Sequence, residues 1–441
     1  MSRFAFLTLF IALPLSAADR PNIVFILADD VGCEPLGCYG GSSFQTPNID
    51  RLAAEGLQFQ HCYSMPVCHP TRICFLTGRY PQKLENPSWG NFPKNLEPHT
   101  VAQVMKKAGY STAVAGKWQL TLLKKDPHHP QRLGFDESCL FGWHEGARYH
   151  DPLLWKNGKI MQDTEGKYGP DLYVDFLIDF MERNQSEPFF AFYSMALCHD
   201  VTDDLKAPVR YAPGKDRYLN YGEMVDSMDH CVGRIVAAID RLKLKEKTLV
   251  IFTGDNGTAS GSISHAEKLD RANARGKQWK YVRDPVYVMQ NGQRIRGGKG
   301  SLTDTGTHVP LLVRQPGSIQ AGTKTNDLVD FSDFFPTFAE AGGGKLSTEL
   351  KLNGVSFLPG LYGKDYEPAR KWAYAERRGG RFWLRDQRWK LYNDGRFFDV
   401  KNDPQEKKAL RAGALSAEGK AARERLRKAM ASEWAIRLND E

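Results

Sequence analysis

Over residues 22–27 the chain reads as one strand, apolar at every position after Asn22, and the run closes on Ala28-Asp29-Asp30. A strand without polar alternation is buried on both faces, so it requires layers of structure on either side of its sheet. The following sequence supplies them, because strand and helix signals alternate from residue 21 to about residue 343. Thr46-Pro47 caps and opens a helix ending near Gly56. Thr100 opens another, closed by Gly109, and 110–115 follows as a strand. Residues 171–183 read as helix and 189–194 as strand, and a helix over 221–242 precedes a strand at 249–252. A strand at 309–313 and a helix over 327–341 complete the series. The pattern predicts an α/β fold with a mainly parallel sheet sandwiched by helices.

The reading changes beyond a boundary at 342–345. Strands at 382–385, 390–392 and 397–400, with Asn393-Asp394-Gly395 as a turn, predict a small antiparallel sheet, and 416–437 predicts a closing helix. Residues 1–18 read as a signal peptide, with Arg3, an apolar stretch over 4–15 and Ser16-Ala17-Ala18 as the cleavage site. The expected organisation is therefore a signal peptide over 1–18, an α/β domain over 19–345 and an α+β subdomain over 346–441. No later apolar run reaches the roughly 18 residues of a membrane span. The expectation is an exported protein, periplasmic or secreted. The 441 residues carry a formal net charge of +8, which suits an anionic substrate and equally a mildly basic surface. The basic cluster Arg423, Arg425, Arg427 and Lys428 contains Glu424, as on a solvated helix face, so no nucleic-acid partner is expected. The eight cysteines show neither the spacing of a small disulfide scaffold nor that of a zinc site.

Cys68-His69-Pro70-Thr71-Arg72 stands apart from this framework. Proline suits the first turn of a helix, which can then run over 71–77 to Gly78. Cys68 lies at its N-terminus, among unpaired N–H groups and the positive end of the dipole, a setting that favours an anionic ester group. The same residues also allow an inert cysteine beside a proline turn.

Ligands of open α/β sheets bind beyond the carboxyl ends of the strands. Asp29 and Asp30 follow the strand at 22–27, Lys117 that at 110–115, His199 that at 189–194, and Asp255 and Asn256 that at 249–252. Three carboxylates and an amide oxygen suit Ca²⁺ or Mg²⁺ rather than zinc. Taken singly, Asp-Asp also reads as a loop start or helix cap, and Asp255-Asn256-Gly257 as a plain turn.

C-x-P-x-R followed by Gly78-Arg79 resembles the signature of the type I, formylglycine-dependent sulfatases of the alkaline-phosphatase-like superfamily. Arg20 to Asp30, Leu36-Gly37-Cys38-Tyr39-Gly40, Gly116-Lys117-Trp118, the segment 189–199 and Thr253-Gly254-Asp255-Asn256-Gly257 resemble further family motifs in the family's order. So do Gly297-Gly298-Lys299-Gly300 and Phe397-Phe398-Asp399-Val400.

The resemblance implies that a formylglycine-generating maturation enzyme oxidises Cys68 to Cα-formylglycine, whose hydrated aldehyde is the nucleophile. Asp29, Asp30, Asp255, Asn256 and the oxygen at position 68 would hold Ca²⁺ in preference to Mg²⁺. Arg72 would hold the hydroxyls, and Lys117 and Lys299 would neutralise the sulfuryl oxygens. His199, with Lys299, would protonate the leaving oxygen. Turnover would pass through a covalent sulfo-enzyme. The implied substrate is a sulfated small molecule or glycan. The rivals are a phosphonate or phosphate ester hydrolase and a degenerate protein that binds sulfated glycan without turnover.

Three positions depart from the pattern. Gln119 replaces a histidine, Asp200-Val201 follows His199 without the usual proline, and His308 stands where arginine is common. Glutamine can contact substrate but cannot take a proton at neutral pH. The insert 258–296, rich in Arg, Lys and Tyr and containing Trp279, reads as a specificity loop or as an ordinary solvated one.

Overall fold

The computed structural model describes residues 20–143, 145–200, 220–268, 279–363 and 366–434. The expected signal peptide, the middle of the 258–296 insert and the end of the last helix lie outside the described residues. Strands β1 (Asn22–Ala28), β2 (Leu57–Tyr63), β3 (Ser111–Lys117), β4 (Glu137–Phe141), β5 (Leu154–Lys156), β6 (Lys159–Ile160), β7 (Phe189–Ser194) and β8 (Thr248–Gly254) enter the main sheet. The described parts of the insert form two antiparallel two-stranded ribbons instead of a plain loop, β9 (Ser262–Lys268) with β10 (Trp279–Asp284) and β11 (Tyr287–Gln290) with β12 (Gln293–Arg296). Strands β13 (His308–Arg314) and β14 (Thr323–Asp330) complete a ten-stranded sheet of order β14-β2-β13-β8-β1-β7-β3-β4-β5-β6.

The centre of the sheet, from β8 through β1, β7 and β3 to β4, is parallel. In contrast, β13 runs antiparallel to both of its neighbours, β8 and β2. Its entry therefore lies at the rim where the parallel strands end.

The apolar run of β1 is buried throughout, and its residues divide between the two faces as a period of two requires. Ile23, Phe25 and Leu27 share a core with the helices Cys68–Thr77, Val101–Lys107 and Phe334–Ala341. Val24, Ile26 and Ala28 face the helices Pro47–Ala54, Gly169–Arg183 and Tyr221–Arg241.

The helix expected over 327–341 is shorter and begins later. Leu328, Val329 and Asp330 are buried in β14, paired in parallel with His61, Cys62 and Tyr63 of β2. A turn closed by the bond from Asp333 N–H to Asp330 O, 2.9 Å, delays the helix to Phe334–Ala341. Pairing with a neighbouring strand overrides the local helical pattern here.

Strands β15 (Ala373–Arg377), β16 (Arg381–Arg385), β17 (Trp389–Tyr392) and β18 (Phe397–Asp399) form the small antiparallel sheet, and the helix Ala417–Trp434 follows. Tyr374, Trp383 and Phe397 join the same core as Phe25 and Phe75. The small sheet also grips the segment leading into β13. Leu302 O accepts from Trp383 Nε1 at 2.8 Å, Lys390 Nζ at 2.9 Å and the Tyr392 hydroxyl at 3.2 Å.

Candidate active site

Asp29 and Asp30 leave the end of β1. Asp30 takes a left-handed backbone, φ 61°, a conformation that Asp and Asn tolerate better than most residues. Its N–H donates to Asp255 Oδ1 at 3.3 Å, and Asp255 N–H donates to Ala28 O at 2.8 Å, so the ends of β1 and β8 are tied together. Cys68 opens the helix Cys68–Thr77, which Gly78 closes in the left-handed conformation as the motif predicts. Lys117 ends β3. Lys299 lies in the segment entering β13, where its N–H donates to Thr258 O at 3.0 Å and that of Gly300 donates to Pro66 O at 2.8 Å.

The candidate residues all meet at this rim. Asp29, Asp30, Cys68, Arg72, Lys117, Gln119, Asp255 and Asn256 are buried. His199 and Lys299 are half-buried. Lys117 Nζ pairs with Asp29 Oδ2, and Lys299 Nζ lies 2.6 Å from Asp30 Oδ1. Arg72 donates to Asp255 Oδ2 from Nη2 at 2.7 Å and from Nε at 3.2 Å, and its Nη1 bonds to Ser194 Oγ. Ser194 Oγ in turn donates to Lys117 O at 2.7 Å, linking the two cations.

Charge regulates these groups strongly. Burial would raise the Asp29 carboxyl, but Lys117, then His199, Arg72 and Lys299, hold it well below the usual carboxylate range. Burial first, then repulsion from Asp29, pushes Asp255 up to about 6 despite Arg72. Burial, then Lys299, depresses His199 well below the ordinary histidine range. Its Nδ1 lies 2.6 Å from Asp200 O, and because a carbonyl only accepts, the proton sits on Nδ1.

One ligand atom each from Asp29, Cys68 and Asp255 lies within 4.8 Å of the others. Asp29 Oδ1 and Asn256 Oδ1 are buried without a hydrogen-bond partner. An unsatisfied buried oxygen costs about 1–3 kcal/mol, and a hard divalent cation would offset that. The residues fit such an ion. Asp30 lies beside them, bonded to Lys299 and accepting from Asn256 Nδ2 at 2.9 Å.

A cavity of about 200 Å³ opens over Cys68, lined by Gln119, Pro81, Pro87, Trp89, Glu376, Arg377 and Arg378 among others. Gln119 Oε1 is buried there without a partner. Of the other departures, His308 is structural, its Nε2 lying 2.9 Å from Gln60 O. Asp200 accepts from Ile263 N–H at 3.0 Å and so anchors the first ribbon of the insert.

Sequence reasoning missed two residues beside this site. Ser194 carried only the signal of ending a predicted strand. Arg148 is fully buried, with its guanidinium 4.4 Å from the Trp143 ring centre and 4.6 Å from that of Phe141, and it precedes no motif. The cavity wall from the small sheet was also missed, because nothing local in Glu376-Arg377-Arg378 announces its distance from Cys68.

A family model described as Sulfatase matches residues 21–344, and one described as N-sulphoglucosamine sulphohydrolase, C-terminal, matches residues 298–432. Steryl-sulfatase of Rattus norvegicus is 31% identical, with 78% of this chain and 70% of that protein covered. Arylsulfatase A of Bos taurus is 31% identical, with 88% of this chain and 77% of that protein covered. The crystal structure of Ps i-CgsB in complex with k-i-k-neocarrahexaose is 26% identical with a TM-score of 0.72, covering 95% of this chain and 94% of that one. The rim built by β1, β3, β7 and β8 thus lies within a match along most of the chain, and the protein belongs to the sulfatase family of sulfuric ester hydrolases.

Proposed function

We propose that this protein hydrolyses sulfate monoesters of carbohydrates, with a nucleophile made from Cys68 and one divalent cation, Ca²⁺ in preference to Mg²⁺. The observation that carries the reading is the convergence of Asp29, Cys68 and Asp255 beneath an open cavity, with Asp29 Oδ1 left unpartnered. Asp29, Asp30, Asp255 and Asn256 would hold the ion, together with the oxygen at position 68. When present, the formylglycine hydrate supplies the attacking hydroxyl and the ion supplies Lewis-acid stabilisation of the sulfuryl oxygens.

The chain's own groups do the rest. Arg72, fixed between Asp255 and Ser194, orients the group at position 68. Lys117 and Lys299 present fixed positive charge where negative charge moves from the sulfuryl oxygens to the leaving oxygen. A bound sulfate ester lies next to His199 and raises its proton affinity. His199, having taken a second proton from solvent at Nε2, or Lys299 from Nζ, then delivers a proton to the leaving oxygen, and Asp30 takes the proton of the attacking hydroxyl. Gln119 Oε1 accepts from a hydroxyl of the substrate or of the nucleophile. Export rests on the signal-like residues 1–18, and the α/β unit over 19–345 carries the chemistry, with 346–441 as its subdomain.

Peptide mass spectrometry over residues 61–79 tests the nucleophile. The expected product is a formylglycine-bearing peptide from protein co-expressed with a maturation enzyme. Cys68→Ala should fold with an unchanged melting temperature and lose turnover by on the order of 10⁴-fold or more. Full activity in that variant would sink the reading.

A further inference from the structure

Two arginines of the cavity lining, Arg377 and Arg378, have no task in the chemistry above. β15 and β16 are joined by a tight hairpin in which Arg377 pairs with Arg381 across the strands. Gly379 and Gly380, φ 100° and 79°, make the turn, and Asn393 Nδ2 holds Gly380 O at 2.7 Å. Arg378 stands at the tip of this hairpin. Arg377 and Arg378 are exposed, line the cavity over Cys68, and form no ion pair among the described residues. Most other arginines of the small sheet have carboxylate partners, as Arg385 does with Asp304 at 2.6 Å and Arg388 with Asp399 at 2.7 Å. The lining also includes the apolar side chains of Pro81, Pro87 and Trp89.

We propose that this hairpin is a second anion subsite, and that the substrate is a glycan carrying a further anionic group on or next to the sugar bearing the scissile sulfate. The inference rests on the sulfatase reading of the site below. At about 200 Å³ the cavity is smaller than the roughly 300–1,000 Å³ clefts that enclose drug-sized ligands, so it takes a single ring. Trp89 and the two prolines cover the apolar face of that ring. Arg377 and Arg378 meet the anion, since a guanidinium pairs bidentately with sulfate or carboxylate.

Calorimetry on the formylglycine-free Cys68→Ala protein separates binding from turnover. The matched probes are neocarrabiose with one sulfate and neocarrabiose with two. A chondroitin disaccharide with one sulfate and one carboxylate distinguishes the two sources of anion. The doubly anionic probe of the preferred kind should bind about tenfold more tightly than the monosulfated one, with an advantage that shrinks as salt rises. Arg377→Ala and Arg378→Ala, made in the same background, should collapse that ratio toward one. Arg378→Lys should restore part of it, and Arg381→Ala should keep it. A ratio near one for both doubly anionic probes, or a preference that survives both arginine substitutions, overturns the proposal. Failure of the mature wild-type protein to hydrolyse any sulfate ester would instead overturn the reading on which it rests.

Discussion

The ammonium of Lys299 lies 2.6 Å from Asp30 Oδ1 and 2.7 Å from Asp30 Oδ2, although the two residues are 269 positions apart in the chain. The pair joins the end of β1 to the segment entering β13. Burial opposes the charge of Lys299, but Asp30, with further anions around it, raises its proton affinity above the ordinary lysine range. Lys299 therefore stays charged across physiological pH. Lys299→Met should lower kcat/KM on 4-nitrophenyl sulfate by about 10²–10³-fold, the usual loss for one preorganised charge. Wild-type rates in that variant would remove Lys299 from the chemistry.

Asp255 serves two partners, the candidate ion and Arg72. Asp255→Ala should lose bound Ca²⁺ and activity together. It also strands a buried guanidinium, at a cost of about 3–5 kcal/mol. Metal analysis of the purified variant, beside its thermal unfolding, checks both. Unchanged metal stoichiometry would count against this ligand set.

Gln119 Oε1 is buried in the cavity without a partner. Gln119→His places a titratable ring beside Cys68. If proton removal limits the rate, turnover should rise and a new ionisation should enter the acidic limb of the pH–rate profile. If Gln119 instead holds the sugar, KM should rise on the glycan and stay the same on 4-nitrophenyl sulfate. No change on either substrate would exclude both roles.

Glu376, at the cavity wall, is pushed up to about 7 by burial, against bonds from Tyr374 and Gln82 that favour its charged form. The folded state therefore binds the proton more tightly than the unfolded chain. This contribution to stability is fully present below pH 4.5 and is lost as pH rises to about 7. It amounts to on the order of 3 kcal/mol. Glu376→Gln should flatten the stability profile over that window in urea titrations. An unaltered slope would show that other groups carry it.

The sheet was legible because β1 and β7 are largely apolar runs, and much of the site was legible because Asp29, Asp30, Lys117, His199, Asp255 and Asn256 follow such runs, whereas Cys68, Arg72 and Lys299 were found through motifs. Gly78, Thr100 and Asn393-Asp394-Gly395 marked their boundaries through backbone chemistry that only a few residues satisfy. The error over 327–341 has a different origin, since Leu328 and Val329 fit either period and only the neighbouring β2 decides between them. The ribbons of the insert were hidden for the same reason. Arg148 and the Arg377–Arg378 hairpin reach the site through tertiary packing alone, which leaves no local signature.

The reversed direction of β13 bears on how such an enzyme can change its diet. The chain leaves the rim after β8 and returns to that rim before β13, so the intervening excursion begins and ends at fixed posts. Asp255 and Asn256 hold the first post, and Lys299 holds the second. Apart from the tie between Ile263 and Asp200, what is threaded between them can lengthen, shorten or refold while both posts stay in place. The ribbons built by residues 262–268 and 279–296 occupy that privileged interval. A library confined to it should yield variants that differ in which sulfate they reach and share one chemical step.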